Sequence, residues 1–398
     1  MSDQPLAMNP FVDIHIHPAP EAYPIDLARI EVITVKCPVR GRGLRIRELT
    51  AADPALFAFF CQLVARAGEL ELDSDAPLID ALIDLGFLVE DAEIVAWPEL
   101  AIELADGAAA PGADWIVAPS FRFQPAFALH PGVRWPADYD AQDGRLRCFA
   151  PGPAFWVGEP SALVAPRWVG PETAEILADL VPGDVPPPLP PTLAGALAHA
   201  GAIVPPHPTA SPLAAFARHR AAYTSDGYVI ARALLPAEEL AALRRYYAAL
   251  LAADLIQLGD RQNAARFSAY NDPVGRFVHA RLAPAMSAVV GQPVEPSFSF
   301  FFCYLEGAAL APHKDRAQAE FSISLQLDHT PAPDGATGWP LCFALDDGRT
   351  VAADLAIGDA VLYHGRAVTH HRDALPAGQR SSLLVLEYVP LDFRGLRI

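Results

Sequence analysis

Apolar and polar residues alternate along much of the carboxyl-terminal half of the chain. Residues 321–327, Phe-Ser-Ile-Ser-Leu-Gln-Leu, have an apolar side chain at every second position, which is typical of a half-buried β-strand. Similar β-rich segments, bounded by glycine-containing turns, lie at 298–304, 338–345, 360–363 and 382–389. This pattern predicts a carboxyl-terminal domain built mainly of β-strands.

The amino-terminal half has a different pattern, which occurs twice. Residues 78–89 and 193–204 each contain two leucines four positions apart, then a glycine, then a short apolar run. Leucines at this spacing lie on one face of a helix, and glycine permits the left-handed conformation that ends it. Each copy therefore predicts a helix, a glycine stop and a strand. Further helices are predicted at 213–222 and 236–251.

The length of the chain, 398 residues, fits two or three domains. The proline-rich segment 205–212 is predicted to link the two halves. We therefore expect one unit at 1–110, a second unit with its linker at 111–210, and a β-rich domain at 211–398.

Composition and charge narrow the classes of partner. The net charge of -18 disfavours nucleic acid as the main partner, because phosphate binding needs clustered lysine and arginine. No apolar run is long enough to predict a membrane span, and the five scattered cysteines form no framework of disulfide spacing. With no apolar signal sequence at the start, we expect a cytoplasmic protein. The sequence leaves the oligomeric state open.

The candidate chemistry lies in the β-rich half. His313 and Asp315 form an H-x-D pair, and His370 follows after a further set of predicted strands. Two imidazoles and one carboxylate on one face of an iron(II) ion leave three coordination positions open, enough for a bidentate co-substrate and dioxygen. The three residues therefore predict a mononuclear iron centre.

The residues around this triad carry a family resemblance. The spacing Y-x-x-G-x-x-L-x-x-H-x-D is present as Tyr304, Gly307, Leu310, His313 and Asp315. Residues 358–361, Gly-Asp-Ala-Val, are followed by a histidine and, ten residues after His370, by Arg380. From about residue 223 to the end, the chain thus resembles the iron(II)/2-oxoglutarate-dependent oxygenases, in particular their prolyl-hydroxylase-like branch.

The resemblance implies an α+β fold in which a double-stranded β-helix, or jelly-roll, packs against supporting helices. It implies that His313, Asp315 and His370 bind iron(II), and that Arg380 binds the distal carboxylate of 2-oxoglutarate. Tyr304 would hydrogen-bond the same co-substrate, and Ser382, two residues beyond Arg380, would assist. The implied reaction is hydroxylation of an unactivated C–H bond with dioxygen; desaturation and ring formation stay open.

One ligand assignment stays open in the sequence. His370 and His371 are adjacent, and either imidazole reaches the metal if the strand register shifts by one residue. The residues that follow favour His370, because family members have an aromatic residue where His371 stands.

The repeated helix–glycine–strand pattern resembles the winged-helix domains that capture precursor peptides by strand addition. It implies small winged-helix-like α+β units before the jelly-roll, and a peptide or peptidyl residue as the substrate. A structural or dimerising amino-terminal extension is the alternative for these units. For the whole chain, the alternatives are a hydroxylase of a free amino acid or small metabolite, and a non-catalytic peptide-binding scaffold.

Overall fold

The structure is a computed structural model. It describes secondary structure for residues 6–8, 13–17, 32–39 and 43–50, and more detail for 53–65, 76–86, 88–90, 98–107, 111–126, 149–158, 165–206, 212–260, 262–345 and 348–394. The contacts divide the chain into two compact units. The first comprises Met1–Pro98, Ala248–Leu258 and Arg394–Ile398, and the second comprises Glu99–Tyr247 and Gly259–Phe393.

The first unit contains short antiparallel strands and two helices. Its elements are β1 (Leu6–Met8), β2 (Asp13–His17), β3 (Val32–Val39), β4 (Gly43–Thr50), α1 (Pro54–Ala65), α2 (Ala76–Leu85) and β5 (Leu88–Glu90). Strands β2, β3 and β4 form one antiparallel sheet, and β1 pairs with β5.

The second unit begins with a small α+β part. Its elements are β6 (Ile116–Val117), β7 (Phe121–Gln124), β8 (Ala154–Val157), β9 (Arg167–Trp168), α3 (Pro171–Ala178), α4 (Pro191–His199) and β10 (Ile203–Val204). Strands β7, β8 and β9 form an antiparallel sheet, and β10 pairs with β6. Phe155, Leu197 and Ile203 are fully buried in its core, so this part encloses apolar side chains of its own.

Both copies of the predicted helix–glycine–strand pattern are present. Helix α2 is followed by Gly86 with φ 82° and then by β5, and α4 is followed by Gly201 with φ 73° and then by β10. These positive φ values are in the left-handed region, which explains why glycine stands at the end of each helix. The local secondary structure is therefore confirmed, while the winged-helix assignment stays a prediction.

The β-rich half forms two facing antiparallel sheets preceded by helices. Its elements are α5 (Pro212–Ala217), α6 (Arg220–Asp226), β11 (Tyr228–Ala231), α7 (Ala237–Ala252), β12 (Gln257–Leu258), β13 (Arg266–Tyr270), α8 (Pro273–Val290), β14 (Val294–Tyr304), β15 (Leu310–His313), β16 (Phe321–Thr330), β17 (Leu341–Ala344), β18 (Thr350–Ala353), β19 (Ala360–Tyr363), β20 (Thr369–Arg372) and β21 (Arg380–Pro390).

The strand order identifies the two sheets. In the major sheet β11, β19, β16, β21, β14 and β13 are successive neighbours, and the minor sheet has the order β15-β20-β17-β18. Consecutive strands cross between the sheets: β14 lies in the major sheet, β15 in the minor sheet and β16 in the major sheet again. This antiparallel arrangement agrees with the predicted jelly-roll and its supporting helices.

The two faces of the major sheet have different partners. Phe302, Tyr304 and Leu383 pack with Trp339 and Leu375 between the sheets. Successive side chains of a strand point to opposite faces. The residues that alternate with these along each strand therefore contact the helices. Phe301 stacks on Tyr247 of α7 with ring centroids 4.0 Å apart, and Tyr388 donates a hydrogen bond to the carbonyl of His279 in α8. Strand parity therefore decides which side chains lie in the interior.

Among the described residues, no helix has the length and apolar character needed to cross a membrane.

Candidate metal centre

Two histidines face each other at one end of the space between the sheets. Strands β15 and β20 are antiparallel neighbours, and their ladder places His313 directly opposite His370. The two imidazole centroids are 4.3 Å apart. Residues that are far apart in the sequence are therefore brought together by a single strand pairing.

Asp315 completes a cluster of three possible metal ligands. Its Oδ1 lies 3.4 Å from His313 Nε2 and 3.7 Å from His370 Nε2. One ligand atom from each residue lies within 4.8 Å of the others. Ligands about 2.0–2.2 Å from a central ion lie roughly 3 Å from one another, so small side-chain movements would bring all three onto one ion. The structure thus brings together His313, Asp315 and His370 as the sequence predicts.

Backbone carbonyls orient both imidazoles. His313 Nδ1 donates to the carbonyl of Ala311 over 2.9 Å, and His370 Nδ1 donates to that of Val368 over 3.1 Å. A carbonyl only accepts, so the proton of each neutral ring is on Nδ1 and the lone pair is on Nε2. Metal-binding histidines commonly have such a partner on the other ring nitrogen. Both Nε2 atoms are therefore available as ligands.

The two histidines differ in exposure and in pKa. The side chain of His313 is 34% exposed, whereas that of His370 is 2% exposed. A hydrogen bond that the protonated His313 ring donates to Asp315 raises the pKa of His313, while burial lowers the pKa of His370. The centre therefore has a closed side at His370 and an open side at His313, from which small molecules can approach.

His371 lies on the other face of β20. In the ladder with β17, His370 is opposite Phe343 and His371 is opposite Cys342. The His370 ring packs beside Phe343 and Tyr363, with centroid separations of 6.2 and 4.8 Å. The structure thus places His370, and not its neighbour, in the ligand cluster, because adjacent residues of a strand point in opposite directions.

The segment 364–368, between β19 and β20, supports two of the ligands. The backbone N–H of Asp315 donates to the carbonyl of Gly365 over 2.9 Å, and Val368 supplies the carbonyl that accepts from His370. Gly365 approaches the carboxylate so closely that a Cβ on it would lie 2.2 Å from Asp315 Oδ2. Only glycine therefore fits at this position without moving the ligand.

A buried hydroxyl and a buried carboxyl lie behind Asp315. Ser322 Oγ lies 3.4 Å from Asp315 Oδ2 and 2.5 Å from Glu387 Oε2. Burial, and next the charge of Asp315, raise the pKa of Glu387 well above its ordinary value. Burial therefore favours the protonated, uncharged form of Glu387 beside Asp315. Glu387 was not predicted as a site residue, although one carboxyl within an apolar strand was a usable signal.

Tyr304, predicted to bind the co-substrate, lies between the sheets. It is 2% exposed, its ring packs near Trp339, and its hydroxyl accepts a hydrogen bond of 2.9 Å from Arg266. Arg266 is itself buried and paired with Asp260. The tyrosine therefore lies in the interior, on the face where a co-substrate would bind.

Arg380 and Ser382 are not brought to this face. Arg380 is exposed at the start of β21, and Ser382 is paired with Cys303 on β14. The residues of β21 that pack with Tyr304 between the sheets are odd-numbered, such as Leu383, whereas Arg380 and Ser382 are even-numbered. Because successive side chains of a strand point to opposite faces, Arg380 and Ser382 lie on the side of the sheet that faces the helices.

A different guanidinium occupies the interior. Arg372 lies two residues after His370 on β20, so both side chains share one face. Arg372 is 3% exposed, and its Nη1 donates to the carbonyl of Trp339 over 2.7 Å. Burial lowers its pKa, because desolvation disfavours the charged form. Arg372 was not predicted as a site residue, although its spacing of two residues from His370 was a usable signal.

The assignment of the second histidine ligand predicts the effect of two alanine variants. His370→Ala should lose iron(II) binding, because it removes an Nε2 donor of the cluster, whereas His371→Ala should retain it. Anaerobic titration with iron(II) measures both affinities, and circular dichroism monitors folding. Loss of binding in a folded His371→Ala variant alone would contradict the assignment.

A second prediction concerns Gly365. The variant Gly365→Ala places a methyl group 2.2 Å from Asp315 Oδ2 and 2.7 Å from the Ala319 carbonyl, so the carboxylate must shift. We expect iron(II) affinity to fall about tenfold or more, as it does when support of a ligand is lost. Gly170→Ala is the matched control, since nothing lies within 4 Å of its Cβ position. Equal metal affinity in the two variants would contradict the expectation.

Comparisons with known proteins find similarity in folded structure only. No protein-family model matches the chain, and no curated protein matches its sequence. SnoN, a non-heme alpha ketoglutarate dependent epimerase from nogalamycin biosynthesis, is 20% identical over 44% of this chain and 81% of its own, with a TM-score of 0.38. A Pseudomonas putida prolyl-4-hydroxylase is 19% identical over 43% of this chain and 97% of its own, with a TM-score of 0.37. EctD from S. alaskensis is 19% identical over 45% of this chain and 78% of its own, with a TM-score of 0.37.

Proposed function

We propose that the chain is an iron(II)/2-oxoglutarate-dependent dioxygenase that hydroxylates an unactivated C–H bond. The convergence of His313 Nε2, Asp315 Oδ1 and His370 Nε2 at one end of the jelly-roll carries this proposal. Two imidazoles and one carboxylate with open positions are the donor set of non-haem iron(II) oxygenases.

The local contacts support these three ligands as a metal site. Each imidazole directs Nε2 toward the cluster, because its Nδ1 is held by a carbonyl oxygen. Asp315 is held by the carbonyl of Gly365 and lies near the Ser322 hydroxyl. These contacts fix the donors before a metal binds, which lowers the cost of ordering them.

With iron(II) and 2-oxoglutarate bound, the cofactors would supply the oxidation: dioxygen converts 2-oxoglutarate to succinate and carbon dioxide while one oxygen atom enters the substrate C–H bond. The chain holds and positions the reactants. Tyr363 and Phe343 close the inner side of the site around His370, which excludes water there. The half-exposed His313 leaves the opposite side accessible to substrate.

A cavity of about 580 Å³ lies beside the segment that supports the ligands. Its lining includes His364 and Val368 of that segment, together with Tyr223, Glu320 and Arg349. The Tyr223 hydroxyl and His364 Nδ1 are buried without a hydrogen-bond partner among the described residues. A cavity of this size fits one side chain or a small molecule. None of the three candidate iron ligands is among its lining residues, so we propose that it binds a part of the substrate away from the reacting C–H bond.

A peptide or peptidyl residue is the proposed substrate. The repeated helix–glycine–strand units support this proposal, because small sheets of that kind capture peptides by strand addition. A free amino acid or small metabolite is the alternative, and the cavity is large enough to hold one.

The iron and 2-oxoglutarate proposal predicts a spectroscopic signal. Anaerobic addition of iron(II) and 2-oxoglutarate to the wild-type chain should give the weak visible charge-transfer band of the chelate, and admission of oxygen should then yield succinate. Asp315→Ala should lose both, because it removes the carboxylate ligand. Absence of the band in folded wild-type protein would contradict the proposed function and favour a non-catalytic scaffold.

The substrate proposal predicts a stoichiometric complex between the full chain and a substrate peptide. Isothermal titration calorimetry measures the complex, and mass spectrometry should then detect addition of one oxygen atom to that peptide. Oxygen addition to free amino acids, with no peptide complex, would instead support the small-molecule alternative.

A further inference from the structure

Arg372 is a buried cation with an unpaired donor. Its Nη1 donates to the carbonyl of Trp339, and its guanidinium carbon lies 4.5 Å from the centroid of the Trp339 ring. Its Nη2 is buried and has no hydrogen-bond partner in the part of the chain that the structure describes. Among the described residues, no carboxylate forms an ion pair with it. A buried guanidinium without an anion is costly, because its desolvation is not compensated.

The other buried arginine nearby does not have this property. Arg266 directs Nε and Nη2 to Asp260 at 3.0 and 2.5 Å, and its Nη1 donates to the Tyr304 hydroxyl. Its charge is therefore already balanced by a carboxylate. Arg372 is the cation on the inner face that still lacks an anion among the described residues.

Arg372 lies near the triad, on the same strand face as His370. His370 and Arg372 lie on one face of β20 two residues apart, which separates their Cα atoms by about 6.5–7 Å. In the ladder with β15, His313 is opposite His370 and Leu310 is opposite Arg372. Arg372 thus lies one step further along the same strand pair than His370. A five-carbon 2-oxo acid chelating a metal at the triad would extend toward it.

We propose that Arg372, and not Arg380, binds the distal carboxylate of 2-oxoglutarate. This inference rests on the proposed function. The free Nη2 donates to the carboxylate in a charge-assisted hydrogen bond, while the Trp339 carbonyl and ring hold the guanidinium in place. Arg380 is unsuited to this role because it is exposed on the outer face of the major sheet.

The test compares two co-substrates that differ only at the distal group. 2-Oxovalerate has the same five carbons and the same chelating end as 2-oxoglutarate, but a methyl group replaces the distal carboxylate. Each acid is titrated anaerobically against the iron(II)-loaded full chain, with the chelate band as the readout. The ratio of the two dissociation constants then measures how strongly the chain recognises the distal carboxylate.

We expect the wild-type chain to prefer 2-oxoglutarate by about tenfold to a hundredfold, the range for a hydrogen bond between charged groups. In Arg372→Gln the ratio should fall close to one, and in Arg372→Lys, which keeps the charge but not the planar donors, it should fall partway. Arg380→Gln is the matched control and should keep the wild-type ratio.

Three results would overturn the inference. They are a ratio near one in the wild type, an unchanged ratio in a folded Arg372→Gln variant, and a ratio near one in Arg380→Gln. Thermal unfolding checks that each variant is folded. If Arg372→Gln does not fold, the exposed Arg380→Gln and the charge-keeping Arg372→Lys decide the question. Failure of the proposed function has a separate signature, because no band would then form with either acid in the wild type.

Discussion

In the ladder between β15 and β20, His313 and His370 are direct partners, and the candidate metal centre depends on this pairing. The same pairing brings the segment 364–368 beside the H-x-D turn, where Gly365 holds the backbone of Asp315 and Val368 holds the His370 ring. A shift of one residue in this ladder would direct His370 away from the cluster. The strands of both sheets, and the helices behind them, keep that register in place.

Residues other than the three candidate ligands set the balance of charge around the candidate metal centre. Ser322 lies between Asp315 and Glu387, and burial favours the protonated form of Glu387. A second charged carboxylate this close to Asp315 would repel it in the protein interior, where such interactions are weakly screened. On the same inner face, Arg372 is a cation without an anion among the described residues. Both features agree with the proposed co-substrate, an anion that would reach from the candidate metal centre toward Arg372.

Much of this centre was predictable from local sequence. The H-x-D spacing and the later histidine point to the three candidate ligands, because few other combinations supply two imidazoles and a carboxylate to one ion. The leucine spacing and the glycine in each repeated unit predict a helix, its end and a strand, and α2 with β5 and α4 with β10 have this form. These are short-range patterns, whose physical basis lies within a few residues.

The sequence by itself therefore determined the candidate ligands, the β-rich character of the carboxyl-terminal half and the repeated helix–glycine–strand units. The tertiary structure decided which member of each neighbouring pair faces the interior. His370 and His371 differ by one position, and so do Ser381 and Ser382, yet only one face of each strand lies between the sheets. Arg380 matched the family spacing but lies on the outer face, while Arg372 lies inside. Strand register is set by pairing between segments far apart in the chain, so no local pattern contains it.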